Sequence, residues 1–242
     1  MPKTAGILLV GNEILSGKIQ DANAAYLCRE LRALGVDVRR IAVIPDEVGL
    51  IADEVTVFSR DFDVVFTSGG VGPTHDDVTI EGVARAMGVP VVRHPALVEL
   101  LQRHFQGRAT EAHLKMAEVP EGAELVTGGS LRFPTLLMRN VWILPGVPEV
   151  FRQKFEAIRE RFRDQPIHLC NVFVRMSEGM LADYLNRLLA DFPRLLLGSY
   201  PEFSNPEYQV KVTLESRDRD YLDRARDDFL GRLPRESIVR VT

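Results

Sequence analysis

Two adjacent carboxylates, Asp76 and Asp77, close a glycine-rich turn in DVVFTSGGVGPTHDDVT, residues 63–79. The run 63–67 reads as a short buried strand and 79–87 as a helix, so the turn sits where a strand hands over to a helix. Gly69, Gly70 and Gly72 permit backbone angles and close approaches that a Cβ would block, and the free N–H groups of a helix start attract anions. Phosphate is the natural guest. A bare carboxylate repels phosphate. Asp76 and Asp77 therefore make chemical sense if a divalent cation bridges carboxylate to phosphate, or if one of them handles a proton or water. The plainer reading is that Asp and Thr cap the helix and the glycines serve the turn.

Other polar residues each carry two readings. Asp46, in Pro45-Asp46-Glu47, either completes a metal site or starts a helix. Lys18 either covers phosphate as a point charge or is a solvated loop lysine. Asn12 and Glu13 orient substrate or water, or else bond their own loop. Asp21 and Asn23 fit the start of the first long helix as caps. His75 either serves as an acid or base or, as a loop histidine beside two aspartates, is simply exposed. Trp142 and Phe133 read as packing residues.

Strand-like runs at 4–11, 36–44, 63–67 and 141–144 alternate with helical patterns at 21–34, 48–59, 79–87 and 147–162. This alternation predicts an α/β fold of three layers around a doubly wound, mostly parallel sheet. Residues 136–139 and 141–144 form a predicted hairpin, which adds an antiparallel pair. In a doubly wound sheet the first and third strands flank a topological switch point, and ligands bind there at the carboxyl ends of strands. Loops 11–20 and 68–77 would then face one another, with the Pro145-Gly146-Val147-Pro148 turn nearby. From residue 166 the order strand (167–176), helix (177–190), strands (194–200 and 208–215), helix (218–230), strand (237–241) predicts a small α+β domain of βαββαβ type. The division is 1–165 and 166–242, with 164–166 as linker.

The string GGVGPTHDDVT resembles the signature turn of the molybdopterin-binding fold. That fold occurs in molybdopterin adenylyltransferases, in the competence/damage-inducible (CinA) family and in the molybdopterin-binding-like domain of eukaryotic-type FAD synthases. AGILLVGNEILSGKIQDANAAYLCRELRALGVDV is similar to the family's opening, with Gly11, Glu13, Gly17, Lys18 and Asn23 on motif positions; VIPDEV places Asp46 on an acidic position, and ILPGVPEVF matches the late turn. RFPTLLMRN and GSYPEFSNPEYQVKVTLES look more like the FAD-synthase-associated form. The stretch LVTGGSLRFPTL departs from the common form, so that loop's substrate contacts do not carry over.

The resemblance implies a hydrolase of nucleotide pyrophosphates such as ADP-ribose or FAD, dependent on magnesium, manganese or cobalt. On this reading Asp77 and Asp76 are catalytic, and Asp77, Asp76 and Asp46 hold the metal. Gly11, Asn12, Glu13, Lys18, Asn23, Ser68, Gly69, Gly70, Gly72, Thr74, Pro145, Gly146 and Pro148 would bind a nucleotide or pterin phosphate. The alternative is a molybdopterin or nucleotide-binding module, or an adenylyltransferase of molybdenum cofactor biosynthesis, without hydrolase activity. Asp76 occupies a position that is basic in some adenylyltransferases, which tilts the choice toward hydrolysis. The deamidase domain of full-length CinA proteins and the FAD-synthesising domain have no counterpart in the chain, so neither activity is expected. Related folds assemble as dimers or trimers, and a homo-oligomer is expected.

A chain of 242 residues with 45% hydrophobic content can bury a sizeable core. No apolar run is long enough to span a bilayer, and the apolar stretch 5–10 is too short for a secretory signal; membrane association is not expected and the cytoplasm is. Cys28 and Cys170 give neither zinc spacing nor a disulfide framework, and Cys28 sits on the apolar side of its predicted helix. A net charge of −4 argues against nucleic acid as a partner.

Overall fold

A computed structural model describes residues 2–128, 131 and 133–242. The chain divides into two compact units, Met1–Asp164 and Gln165–Thr242.

In the first unit the apolar runs become β1 (Thr4–Val10), β2 (Asp37–Ile44), β3 (Val64–Ser68) and β8 (Val141–Leu144). Two further strands, β6 (Glu124–Val126) and β7 (Thr135–Met138), complete a six-stranded sheet of order β2-β1-β3-β8-β7-β6. The pairs β1–β2, β1–β3 and β3–β8 are parallel, whereas β7 runs antiparallel to both its neighbours. The expected hairpin is therefore present, and Arg139 turns it with φ of 55°. The order reverses between β1 and β3, the position the sequence predicts for the switch point.

Strand alternation sorts the core into two layers. Ala5, Ile7 and Leu9, Val64 and Phe66, Trp142 and Leu144 meet α2 (Asn23–Ala33) and α7 (Pro148–Ile158). The intervening Leu8, Val10, Val65, Val141 and Ile143 meet α3 (Val48–Asp61) and α4 (Thr79–Met87). With both faces covered, β3 and β8 are buried at every position and β1 at every position but Thr4, as the inside of a parallel sheet requires, whereas the edge strand β2 exposes Arg39, Arg40, Ile41 and Val43. Asp63 fixes the register at the lower end: its carboxylate accepts the Thr4 N–H at 2.7 Å and the Thr4 hydroxyl at 2.8 Å, and these bonds hold its pKa below the usual carboxylate range.

The structure departs from expectation in three places. The helix predicted over 147–162 is α-helical only to Ile158 and tightens into a 3-10 turn at Arg159–Phe162, a common way for a helix to end. A four-residue helix, α1 (Asn12–Leu15), occupies the predicted loop 11–20. The unassigned stretch 88–123 forms β4 (Val91–Arg93), α5 (Pro95–His104), α6 (Glu111–Lys115) and β5 (Glu118–Pro120), with β4 and β5 paired antiparallel. Leu97, Leu101, Ala117 and Val119 give this flap a small core of its own.

The second unit is β9 (His168–Val174), α8 (Glu178–Asp191), β10 (Leu196–Pro201), β11 (Val210–Ser216), α9 (Arg219–Arg232) and β12 (Ile238–Val241). Its sheet has the order β10-β11-β9-β12, antiparallel throughout. Val172, Val174, Val212 and Leu214 pack against Leu181, Leu185, Leu222 and Phe229 of the two helices. Among the described residues no helix is long and apolar enough to cross a membrane.

Candidate functional site at the end of the third strand

The turn after β3 is shaped by contacts that exclude side chains. Gly69 has φ of 105°, and a Cβ there would overlap the carbonyl oxygen of Val10 at the end of β1. Thr79 locks the far side: its hydroxyl donates to Gly69 O at 2.8 Å and its N–H to Gly70 O at 2.9 Å. Within this frame Asp76 and Asp77 both turn toward Thr74. Thr74 N–H donates to Asp77 Oδ2 at 2.8 Å, and the Thr74 hydroxyl oxygen lies 2.6 Å from Asp76 Oδ1 and 2.5 Å from Asp77 Oδ2. A hydroxyl has one proton to give, so it satisfies one carboxylate at a time. The hydrogen bond from the Thr74 hydroxyl, followed by one from a backbone N–H, holds the Asp76 carboxyl below its usual range. His75 is 98% exposed, in line with the plain reading of a loop histidine.

Asn23 is not a cap. It is 4% exposed, and its amide donates to Ser68 Oγ at 3.0 Å and to Gly146 O at 2.8 Å, while Ser68 Oγ donates to Pro145 O at 3.3 Å. One side chain thus joins α2, the end of β3 and the turn after β8; Asp21 does the capping by accepting the N–H groups of Asn23 and Ala24, each at 3.0 Å. Pro148 opens α7 within its first turn, where its missing N–H costs nothing.

The three-carboxylate metal set is not assembled. Asp46 Oδ2 accepts the Asn12 N–H at 2.8 Å at the start of α1, which commits Asp46 to the first loop instead of to Asp76 and Asp77. Among the described residues no three His, Cys, Asp or Glu side chains are grouped to hold a metal ion. Gly11 closes the same loop by donating to Ile44 O at 3.1 Å, and a Cβ on it would crowd the Glu13 carboxylate. Lys18 lies exposed on that loop.

A cavity of about 750 Å³ opens on the other side of the turn. Gly72, Asp77 and Pro145, all predicted site residues, line it; Gly11, Asn12, Glu13 and Lys18 do not. Its apolar walls include Ile80 of α4, Leu101 and Phe105 of the flap, and Leu136 of β7. Lys115 at the end of α6 donates to the Thr74 carbonyl and so clips the flap to the carboxylate turn. Phe133, read as packing, also faces this space. Gly129, Ser130 and Arg132 of the altered loop lie outside the described residues.

Lys154 is the site residue that sequence reasoning missed. It is 9% exposed and lines the cavity; its ammonium donates to Phe133 O at 3.0 Å and to Pro134 O. Among the described residues no carboxylate pairs with it, and burial pushes its pKa down to about 8. A signal was present: Lys154 stands three residues after Phe151 and four before Ile158, on the apolar stripe of α7, where a lysine is out of place.

The first unit is a doubly wound α/β domain that sets a glycine turn, two carboxylates and an adjoining cavity at the carboxyl end of its third strand, where such folds place their ligand sites. Residues 6–164 match the model of the family described as "Probable molybdopterin binding domain", and the chain belongs to that family. Residues 166–242 match the "FAD synthase, middle domain" family. A protein of Archaeoglobus fulgidus is 40% identical over 92% of this chain and 95% of its own length. A protein of Caenorhabditis elegans named "Probable FAD synthase" is 32% identical over 91% of this chain but only 48% of its own, so the chain spans about half of that relative. A crystal structure of a Thermoplasma acidophilum protein, titled CinA with unknown function, superposes with a TM-score of 0.61 at 31% identity, covering 67% of this chain and all of the other.

Proposed function

We propose that the first unit hydrolyses the diphosphate bridge of a nucleotide pyrophosphate such as ADP-ribose or FAD, with a divalent cation as cofactor. The observation that carries this reading is the convergence of Asp76 and Asp77 on one hydroxyl oxygen, with Asp77 on the wall of a cavity of about 750 Å³. That size suits a nucleotide-like ligand. Two carboxylates with one shared proton donor fit a cation that takes its remaining ligands from substrate phosphates and water, the usual arrangement for magnesium at phosphate sites. When bound, such a cation supplies neutralisation of the bridging phosphates and activation of water. The chain's own residues do the rest. The turn from Gly69 to Gly72 lets phosphate approach the backbone, Thr74 holds the two carboxylates together, and the clip from Lys115 keeps the flap over the site.

A name containing FAD synthase among the relatives, and the family description of molybdopterin binding, support a nucleotide or pterin ligand. The second reading, a molybdopterin- or nucleotide-binding module or an adenylyltransferase without hydrolase activity, is favoured by one observation: no three metal-ligating side chains are grouped among the described residues. Incubation with ADP-ribose and with FAD, each with and without magnesium, manganese or cobalt, separates the two. AMP appearing only with the cation supports the hydrolase; intact substrate under every condition, alongside tight binding of molybdopterin, overturns it.

A further inference from the structure

An ammonium group has three N–H donors, and Lys154 spends two of them on the carbonyls of Phe133 and Pro134. The third is left, on a side chain 91% removed from solvent and without a carboxylate partner among the described residues, at the wall of the cavity that Asp77 also lines. Burying an ammonium that has no carboxylate partner among the described residues, with only the Phe133 ring 5.8 Å away beside its two carbonyls, is costly, and a methionine of similar volume would pack there without that cost. A donor held at this expense fits a ligand acceptor.

We propose that Lys154 determines substrate specificity, donating its third N–H to a ring carbonyl of a planar heterocycle seated in the cavity. This rests on the reading that the cavity and the carboxylate turn serve one nucleotide- or pterin-like ligand. An ammonium offers donors only, so the ring atom that meets it must be an acceptor, best a carbonyl oxygen that projects beyond the ring. Adenine's ring acceptors are nitrogens, and it has no ring carbonyl. An isoalloxazine or a pterin has carbonyl oxygens that project beyond the ring. The flat apolar faces of either ring suit Phe105, Phe133 and Leu101 on the walls. Lys154 therefore favours an oxygen-bearing ring over adenine.

The test is binding without turnover, on the full chain and with no divalent cation present. Riboflavin is followed by its fluorescence, pterin likewise, and AMP by calorimetry. For Lys154→Met the expected result is at least about tenfold weaker binding of riboflavin or pterin, the scale of one charge-assisted hydrogen bond, with AMP affinity unchanged. Riboflavin and pterin serve as separate arms, and whichever binds identifies the ring. Equal affinity of wild type and variant for both rings overturns the proposal, as does a loss shared equally by AMP. Leu100→Trp keeps Lys154 and fills the cavity; it must abolish ring binding, and ring binding at wild-type strength in this variant also overturns the proposal. Ring binding without AMP release from FAD would defeat the hydrolase reading alone, whereas AMP release with no role for Lys154 would defeat this inference alone.

Discussion

Thr74 and Asp77 are joined twice through one oxygen: the backbone N–H and the hydroxyl of Thr74 both meet Asp77 Oδ2, at 2.8 and 2.5 Å. Asp77 is thus held in place before any ligand arrives. Asp77→Asn keeps an acceptor for the Thr74 N–H and removes the charge, so it should preserve the turn while weakening cation binding in the presence of nucleotide. Turnover should fall by about a hundredfold or more, the scale of losing a charge that acts on the reacting phosphates. Calorimetry with magnesium, manganese or cobalt provides the check, and equal cation affinity in the two proteins removes Asp77 from the ligand set.

Asp76 separates the two functional readings by sign. In a hydrolase, Asp76→Ala loses part of the cation's hold and turnover drops by about a hundredfold. In a binding module the same change removes a negative charge near the ligand phosphate, and affinity stays equal or rises. Because hydrogen bonds keep the Asp76 carboxyl below its usual range, it remains ionised at neutral pH and either effect should be fully expressed at pH 7.

Asn23→Ala tests the tie between α2, β3 and the turn after β8. It leaves the part-buried Gly146 carbonyl and the buried Ser68 hydroxyl without their donor. Unfolding in urea, followed by Trp142, the chain's single tryptophan and a core residue of this unit, should show a loss of about 1–3 kcal/mol. Unchanged stability would make Asn23 dispensable to the fold and leave ligand binding as its role.

Lys154 predicts a pH dependence. Its folded value of about 8 lies below the ordinary lysine value of 10.5, so between these limits the unfolded chain carries a proton that the folded chain has lost. Stability therefore rises with pH across that window, and below pH 8 the full cost of the buried charge is present. Relative to Lys154→Met, the wild type should gain about 3 kcal/mol between pH 7 and pH 10.5, the worth of the depressed pKa. Trp142 fluorescence in urea at both pH values measures it, and parallel behaviour of the two proteins contradicts a buried ammonium.

Much of the fold could be read from periodicity, for a physical reason. β1, β3 and β8 are buried on both faces, so their apolar runs are continuous, and α2, α3 and α4 each carry an apolar stripe long enough to count. Much of the flap escaped because β4 and β5 have three residues each and α6 has five, too few for any period to appear; α5, with ten residues, carries a countable stripe through Leu97 and Leu101 that was not read. The carboxylate turn was readable because its glycines and its two aspartates are contiguous. The cavity was not, since its walls come from five segments that only tertiary folding brings together. Asp46 shows another gap: an acidic residue on a motif position was read toward a metal, while the bond that its Oδ2 accepts from the N–H of Asn12 could not be read from the sequence.

The hydrolytic claim is tested most directly by mass spectrometry of the products formed from ADP-ribose in heavy-oxygen water with a divalent cation. Hydrolysis predicts AMP and ribose phosphate in equal amounts, with one solvent oxygen incorporated into one of the two, and loss of both products in Asp77→Asn. No cleavage with any of the three cations, or transfer of the adenylyl group to an added acceptor without solvent label, would contradict it.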